Sequence, residues 1–191
     1  MARLYMIRHG KPSAVWGQNP DPDPGLDEAG QAQAKAAADA LMALPADQRP
    51  TRVFSSPLRR CRETAQPFAD AIGVPVEIEA RFGEIPSPAS LADEERGPWL
   101  RNAFQSQWKE VEGDIDYDDW RADVGEALGE LDGNTAVFSH FVAINAVLTA
   151  LAGEPQVITL RPDHASISVF ELQDGVLTLL ERGPEASTQV L

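Results

Sequence analysis

The stretch that decides the fold is Leu4-Tyr5-Met6-Ile7-Arg8-His9-Gly10. Its four successive apolar residues predict a short strand that is buried on both faces, as in a parallel sheet. The apolar run ends abruptly at Arg8. In open α/β sheets, ligands bind beyond the carboxyl ends of the strands. Arg8 and His9 therefore occupy a position where a binding site is expected.

Working outward, the rest of the chain alternates short apolar runs with helical segments. Asp174-Gly175 lies between two alternating runs and predicts a terminal β-hairpin. Strands that alternate with helices predict an α/β fold, specifically a three-layer α/β/α sandwich with a mostly parallel sheet. The expected strands are 4–7, 53–54, 76–78, 135–138, 167–172 and 176–180; the expected helices are 27–44, 57–72, 98–112, 117–131 and 141–152; and the expected loops include 17–25 and 85–97.

Composition excludes several classes of protein. The chain has 191 residues, a formal net charge of −14 and one cysteine. That charge argues against nucleic acid and anionic membranes as partners of the bulk surface. A lone cysteine excludes an internal disulfide and a Cys-based zinc cluster. The sequence contains neither an apolar run of about 20 residues nor a secretory signal, so the cytoplasm is the expected compartment.

The charge is distributed unevenly along the chain. Residues 77–132 hold sixteen acids and five bases, whereas residues 1–76 hold eight acids and nine bases. Arg59 and Arg60 fall in the first turn of a predicted helix, where the macrodipole disfavours cations. Their presence there is explained if an anion also binds, because helix amides and guanidinium groups together form a good phosphate site. Adjacent helical residues diverge by about 100°, so only one of the two is expected to serve it.

Two of the three histidines, His9 and His140, follow predicted strands. One interpretation is covalent phosphoryl transfer, in which a neutral imidazole attacks phosphorus. The other is a metal site built from the three histidines and acids. No histidine pair has the i, i+4 spacing of metal ligands, so the first interpretation is favoured. His164 is expected at the pocket rim or in solvent, and Cys61 is expected to be packed in the core.

Arg8-His9-Gly10 resembles the Arg-His-Gly signature of the histidine phosphatase superfamily, also called the phosphoglycerate mutase-like family. Four further matches follow in the family's order, within 26–34, 55–65, 81–85 and 139–140. The resemblance implies one histidine-phosphatase-like domain over 1–191, with a small helical, cap-like insertion at about 85–125.

Carried over by motif, the resemblance implies a phosphatase without metal or other cofactor. His9 would be the nucleophile that becomes phosphorylated, and Arg8, Arg60 and His140 would bind the phosphoryl oxygens. Glu84 would protonate the leaving oxygen and then activate water. Arg59 falls on the motif's variable position. The implied partner is a small phosphorylated substrate.

The assignment of Glu84 has competitors, because Glu79 and residues 93–95 supply other carboxylates nearby. A general acid must hold its proton at the working pH, so its pKa should be raised by burial or by neighbouring acids. Four aromatic residues of the cap-like insertion are expected to anchor its helices on the core, with one of them a candidate for an apolar wall of the site. They are Trp99, Trp108, Trp120 and Phe104.

The chain also departs from the family pattern. Lys11 and Pro12 follow the signature, Val15 stands where asparagine is usual, and Phe141 replaces a common glycine after the second histidine. Few bases lie in 85–125 to hold a second phosphate, which favours a phosphatase over a mutase. The alternatives left open are a mutase-type phosphotransferase, a phosphohistidine protein phosphatase and a non-catalytic phosphate-binding module.

Overall fold

A computed structural model describes residues 1–14 and 21–187 of the chain. Val15 and residues 17–20 of the predicted 17–25 loop lie outside the described residues. The strands are β1 (Ala2–Arg8), β2 (Arg52–Ser55), β3 (Val76–Ile78), β4 (Thr135–Ser139), β5 (Ile167–Gln173) and β6 (Val176–Glu181). The helices are α1 (Glu28–Met42), α2 (Arg59–Ile72), α3 (Asp93–Ala103), α4 (Tyr117–Gly129) and α5 (Phe141–Ala152).

The six strands form one sheet in the order β3-β2-β4-β1-β5-β6. The pairs β2–β3, β2–β4 and β1–β4 are parallel, and β5 and β6 add an antiparallel edge. β1 therefore lies inside the sheet, with a parallel neighbour on one side and an antiparallel one on the other. The predicted mostly parallel α/β sheet is confirmed.

Helices cover both faces of this sheet, which makes three layers. Alternate residues of β1 enter two different apolar cores because successive side chains point to opposite faces. Leu4 and Met6 pack in the core that contains the buried residues of α4 and α5. Tyr5 and Ile7 pack in the core that contains those of α1 and α2. Within residues 1–14 and 21–187, no helix combines the length and apolarity needed to cross a bilayer.

The predicted helix boundaries in the acidic segment are wrong. Residues 93–97 belong to α3, although they were expected in a loop, and α3 ends at Ala103 rather than at 112. The first turn of α3 carries three acids, which the helix dipole favours, and the Glu95 carboxylate accepts a hydrogen bond from the Ala92 amide at 2.9 Å. A separate 3-10 turn follows at Trp108–Glu110.

The predicted start of the helix 57–72 is also wrong, because α2 begins at Arg59 with Leu58 as its N-cap. The terminal hairpin is confirmed. Asp174 and Gly175 have φ angles of 52° and 77°, which is the left-handed backbone that a two-residue hairpin turn requires.

The chain after β1 is held against α1, and this contact explains the motif at 26–34. Asp27 caps α1 and also pairs with the Lys11 ammonium at 2.9 Å, while the Gln33 amide oxygen accepts from the Lys11 backbone at 2.8 Å. Gly30 lies so close to Lys11 that a Cβ there would overlap the Lys11 backbone. A glycine is therefore needed for this approach of helix and loop.

We expect Gly30→Ala to lower the free energy of unfolding by about 1–3 kcal/mol, because the loop backbone must shift to accept the methyl group. Gly125→Ala is the matched control, since Gly125 is also helical and has open space around its Cβ position. The free energy of unfolding of that control should rise by about 0.5–1 kcal/mol, because alanine has a higher helix propensity than glycine. Urea unfolding measures both, and equal effects at the two sites would contradict the close-packing argument.

Candidate active site

Three strand ends meet at one edge of the sheet. β4 lies between β1 and β2, so its carboxyl end is adjacent to both. The His9 amide donates to the Ser139 carbonyl at 3.0 Å, and the Ser56 amide donates to the Phe138 carbonyl at 2.9 Å. The turns after β1, β2 and β4 are thereby joined by backbone hydrogen bonds, and they bring Arg8, His9, Arg60 and His140 together.

The protonation state of His9 follows from its contacts. Its Nδ1 lies 2.8 Å from the Gly10 carbonyl oxygen, which can only accept, so Nδ1 carries the proton. Burial and the nearby cations Arg60 and Arg8 hold the pKa of His9 well below its ordinary value. The ring is therefore neutral near pH 7, and the lone pair on Nε2 is available for attack.

Arg8 is buried and held from two sides. Its Nη1 donates to the Pro162 carbonyl at 2.8 Å, and its Nη2 lies 3.1 Å from Nε2 of His164. Burial lowers the pKa of Arg8 to about 10, so the group remains a cation at neutral pH. Nε of Arg8 is buried without a hydrogen-bond partner in the described part of the chain. Because an unpaired buried donor is costly, an anion that accepted from it would be stabilised.

Arg60 and His140 form a second pair beside His9. Nη2 of Arg60 lies 3.3 Å from Nδ1 of His140, which must accept because guanidinium only donates. Burial and the cations Arg60 and Arg8 hold the pKa of His140 well below its ordinary value, so its proton lies on Nε2, 2.8 Å from Ser56 Oγ. The His140 ring lies 5.2 Å from that of His9, but it is fully buried and both nitrogens are engaged. Direct contact between His140 and a phosphoryl oxygen stays a prediction.

The structure separates the two adjacent arginines of α2. Arg60 is buried at the site, whereas Arg59 pairs with Glu63 at 2.7 Å on the surface. The anion expected at the start of α2 is present within the protein itself. The Asp23 carboxylate accepts from the Arg59 backbone amide at 2.9 Å and 3.1 Å, which satisfies that helix end.

Glu84 is the acid that the structure brings to the site. It lines the same cavity as His9, and no other described carboxylate does. Its Oε1 accepts from the amides of Ile85 and Val142 at 3.0 Å and 3.2 Å, which fixes the carboxyl group at the start of α5. Burial raises its pKa, and this effect exceeds the opposing influence of the two amides and two arginines.

Neighbouring acids that competed with Glu84 lie elsewhere. The Glu79 carboxylate pairs with Arg81 at 3.0 Å, which lowers the pKa of Glu79, and residues 93–95 are exposed in the first turn of α3. Among residues 1–14 and 21–187, no group of three or more His, Cys, Asp or Glu side chains is arranged to hold a metal ion. Cys61 is fully buried in the core beside α1 and α2, as expected.

Three further residues line the site: Phe104, which was one candidate for an apolar wall, His164, which was expected at the rim or in solvent, and Phe141, which was not predicted there. Phe104 and Phe141 line the cavity, and their rings stack at 5.0 Å. His164 also lines it, 5.9 Å from the His9 ring, and burial lowers its pKa to about 4. The pairing of β5 with β1 places His164 at the site. Ile167 at the start of β5 pairs with Ile7 in antiparallel register, so the residues before β5 lie beside those after β1.

The cavity itself has a volume of about 230 Å³. It combines a neutral imidazole nitrogen, two buried guanidinium groups and a carboxyl group with raised pKa. Guanidinium groups match the geometry of phosphate oxygens, and a neutral histidine is a competent nucleophile toward phosphorus. The arrangement is that of a site for phosphate esters. Its lining consists of Arg8, His9, Lys11, Pro12, Ala14, Pro24, Arg60, Glu84, Gly97, Leu100, Arg101, Phe104, Phe141 and His164.

Residues 4–183 match the family model of the histidine phosphatase superfamily (branch 1), and the chain belongs to that family. A probable phosphoglycerate mutase, GpmB of Enterobacter sp. (strain 638), is 26% identical over 91% of this chain and 86% of its own length. The 55 kDa subunit of transcription factor tau from Saccharomyces cerevisiae is 40% identical over 42% of this chain, which spans only 20% of that subunit.

Solved structures have the same fold. Phosphoserine phosphatase from Entamoeba histolytica, in a complex with 3-phosphoglyceric acid, superposes with a TM-score of 0.73 at 18% sequence identity. The match covers 98% of each chain. The family's fold therefore extends over nearly the whole chain.

Thr64 links α2 to the loop of His9, and removing its hydroxyl group should measurably lower the stability of the fold. Its Oγ1 accepts from the Gly10 amide at 2.9 Å and donates to the Arg60 carbonyl at 2.6 Å. We expect Thr64→Val to lower the free energy of unfolding by about 1–3 kcal/mol, because it leaves a buried amide unpaired. Thr64→Ser keeps the hydroxyl and should lose less. Urea unfolding compares them, and a Val variant as stable as the Ser variant would refute this role.

Proposed function

We propose that the protein is a metal-independent phosphatase that hydrolyses a small phosphate monoester through a phosphohistidine intermediate. The observation that carries the proposal is the His9 Nδ1–Gly10 hydrogen bond, which leaves Nε2 unprotonated in a cavity with two buried arginines. A nucleophile next to fixed positive charge is what phosphoryl transfer requires, since catalysis there depends on positioning and electrostatic stabilisation. The proposal retains the cytoplasm as the compartment.

In the first step, Nε2 of His9 attacks phosphorus. The N–P bond forms as the bond to the leaving oxygen breaks, and the Glu84 carboxyl group donates its proton to that oxygen. Arg8 and Arg60 neutralise the equatorial oxygens. His140 contributes by orienting Arg60 through Nδ1.

In the second step, the Glu84 carboxylate accepts a proton from water, and the oxygen of that water attacks phosphorus. The N–P bond breaks, inorganic phosphate leaves, and neutral His9 and protonated Glu84 are restored. The raised pKa of Glu84 supports this role because the acid must hold a proton when the cycle begins.

The alternative functions differ from the proposed one in the acceptor of the phosphoryl group, or in transferring no phosphoryl group at all. A mutase-type phosphotransferase would need cations for a second phosphate. Lys11 is already paired with Asp27, and Arg101 is the remaining lysine or arginine in the described lining besides Arg8 and Arg60. A phosphohistidine protein phosphatase and a non-catalytic phosphate-binding module are the other candidates. Water as acceptor is favoured because Glu84 supplies a base that pure binding does not need.

We expect His9→Ala to abolish hydrolysis of para-nitrophenyl phosphate, a loss of at least about 1,000-fold, because no other group takes over covalent attack. Wild-type enzyme quenched at low temperature in alkaline denaturant, in which the N–P bond is stable, should carry phosphate on His9. EDTA should leave the wild-type rate unchanged. Undiminished activity of His9→Ala would contradict the covalent route, and loss of activity in EDTA would favour the three-histidine metal site.

The variant Glu84→Gln tests whether Glu84 is the general acid, because only some leaving groups need a proton in order to depart. Nitrophenolate departs without a proton, whereas an alkoxide does not, so we expect kcat/KM of the variant to fall about 100-fold or more on an alkyl phosphate and much less on para-nitrophenyl phosphate. The comparison uses kcat/KM because this quantity covers the steps up to departure of the leaving group and excludes the later hydrolysis step, which both substrates share. Equal losses on both substrates would contradict the assignment.

The pH profile tests the same carboxyl group. The raised pKa of Glu84 means that wild-type activity on alkyl phosphates declines as pH rises through that value and the proton is lost. The low pKa of His9 means that the nucleophile stays neutral well below pH 6.5. Rates measured between pH 4 and pH 9 should show this alkaline decline in wild type and not in Glu84→Gln.

A further inference from the structure

One part of the cavity lining is apolar and is not used by the proposed chemistry. Leu100 and Phe104 are four residues apart at the end of α3, so their side chains lie on one face of the helix. Phe104 stacks on Phe141 with ring centres 5.0 Å apart and planes 21° apart. We name Leu100, Phe104 and Phe141 the apolar wall.

This wall is continuous with the anion site. The guanidinium carbon of Arg8 lies 5.1 Å from the centre of the Phe141 ring, so one end of the wall touches a phosphate-binding cation. Phe141 is buried at the first position of α5, next to His140. Phe104 is only partly buried, and it lines the cavity. A group bonded to the phosphate therefore meets hydrocarbon within the same cavity.

The polar side of the lining consists of the charged groups Arg8, Lys11, Arg60, Glu84 and Arg101 together with two imidazoles. Among the described lining residues there is no serine, threonine, asparagine, glutamine or tyrosine side chain. Outside the groups that the proposed chemistry uses, Lys11 pairs with Asp27 and Nε2 of His164 contacts Arg8, so a sugar or glycerol group would regain few of the hydrogen bonds to water that it loses. A hydrocarbon group would instead gain from burial against three apolar side chains.

We infer that the ester group of the substrate is a hydrocarbon, an aryl-alkyl or branched alkyl chain without hydroxyl groups, which packs against the apolar wall while the phosphate lies at Arg8 and Arg60. This inference rests on the proposed phosphatase function and specifies its substrate class.

The first test compares two primary alkyl esters, 3-phenylpropyl phosphate and glycerol 1-phosphate. Both release a primary alkoxide, so leaving-group chemistry contributes little to the difference. We expect kcat/KM to be about 30-fold higher for the phenylpropyl ester, which is within the range that an apolar pocket achieves. An equal rate or a preference for glycerol 1-phosphate would overturn the inference.

The second test asks whether the preference for the phenylpropyl ester depends on Phe104. Phe104→Gln should lower the ratio of the two kcat/KM values by about tenfold, whereas Phe104→Leu should retain most of it. Val111→Gln is the matched control, because Val111 is a partly buried apolar residue of the same segment that does not line the cavity. Circular dichroism checks folding of each variant. A ratio unchanged in Phe104→Gln, or lowered equally in Val111→Gln, would refute the apolar wall.

A binding measurement separates this inference from the proposed function. Calorimetry compares 3-phenylpropylphosphonate with methylphosphonate, neither of which can be hydrolysed. Tighter binding of the phenylpropyl compound by about tenfold or more supports the wall even in a protein that turns over no ester. Hydrolysis of para-nitrophenyl phosphate together with equal binding of the two phosphonates would support the proposed phosphatase function and overturn the inferred substrate class.

Discussion

The hydrogen bond between His9 Nδ1 and the Gly10 carbonyl is the interaction on which the rest of the site depends. It requires the chain to turn immediately after β1 and to remain in place. Thr64 of α2 holds the Gly10 amide, and Gln33 of α1 holds the next amide, that of Lys11. Two helices of the same layer therefore support one turn, and the tautomer of the nucleophile is set by the packing of that layer.

The charged groups of the site affect the pKa values of its histidines. Burial, Arg60 and Arg8 lower the pKa of both His9 and His140, so the cations proposed to bind phosphate also help to keep the proposed nucleophile neutral. A bound phosphate dianion would offset those cations and favour proton uptake by nearby groups. In the proposed reaction, the balance of charge at His9 therefore changes when substrate binds.

Much of the fold could be predicted from the sequence, because the residue patterns that indicate its strands, turns and helices are local. The run at 4–7 and the turn at Asp174-Gly175 predict their strands, and the predicted bounds of the helix at 141–152 agree with α5. The predicted start of α3 is wrong because the charge run at 93–97 is interpreted as part of the 85–97 loop, although acids in a first turn stabilise a helix. Asp23 at the start of α2 and His164 beside Arg8 depend on contacts across 36 and 156 positions, which no local pattern encodes.

Cys61 has a practical consequence for following how the molecule opens. It is the single cysteine of the chain, it is fully shielded from solvent, and burial raises the pKa of its thiol to about 12. Alkylating reagents attack the thiolate, so the folded protein should resist them near neutral pH. Sγ also lies 3.4 Å from the Ser139 carbonyl, at the edge of the sheet that carries the candidate active site. The rate of labelling at this one atom therefore reports how often α2 separates from β4, without any engineered probe.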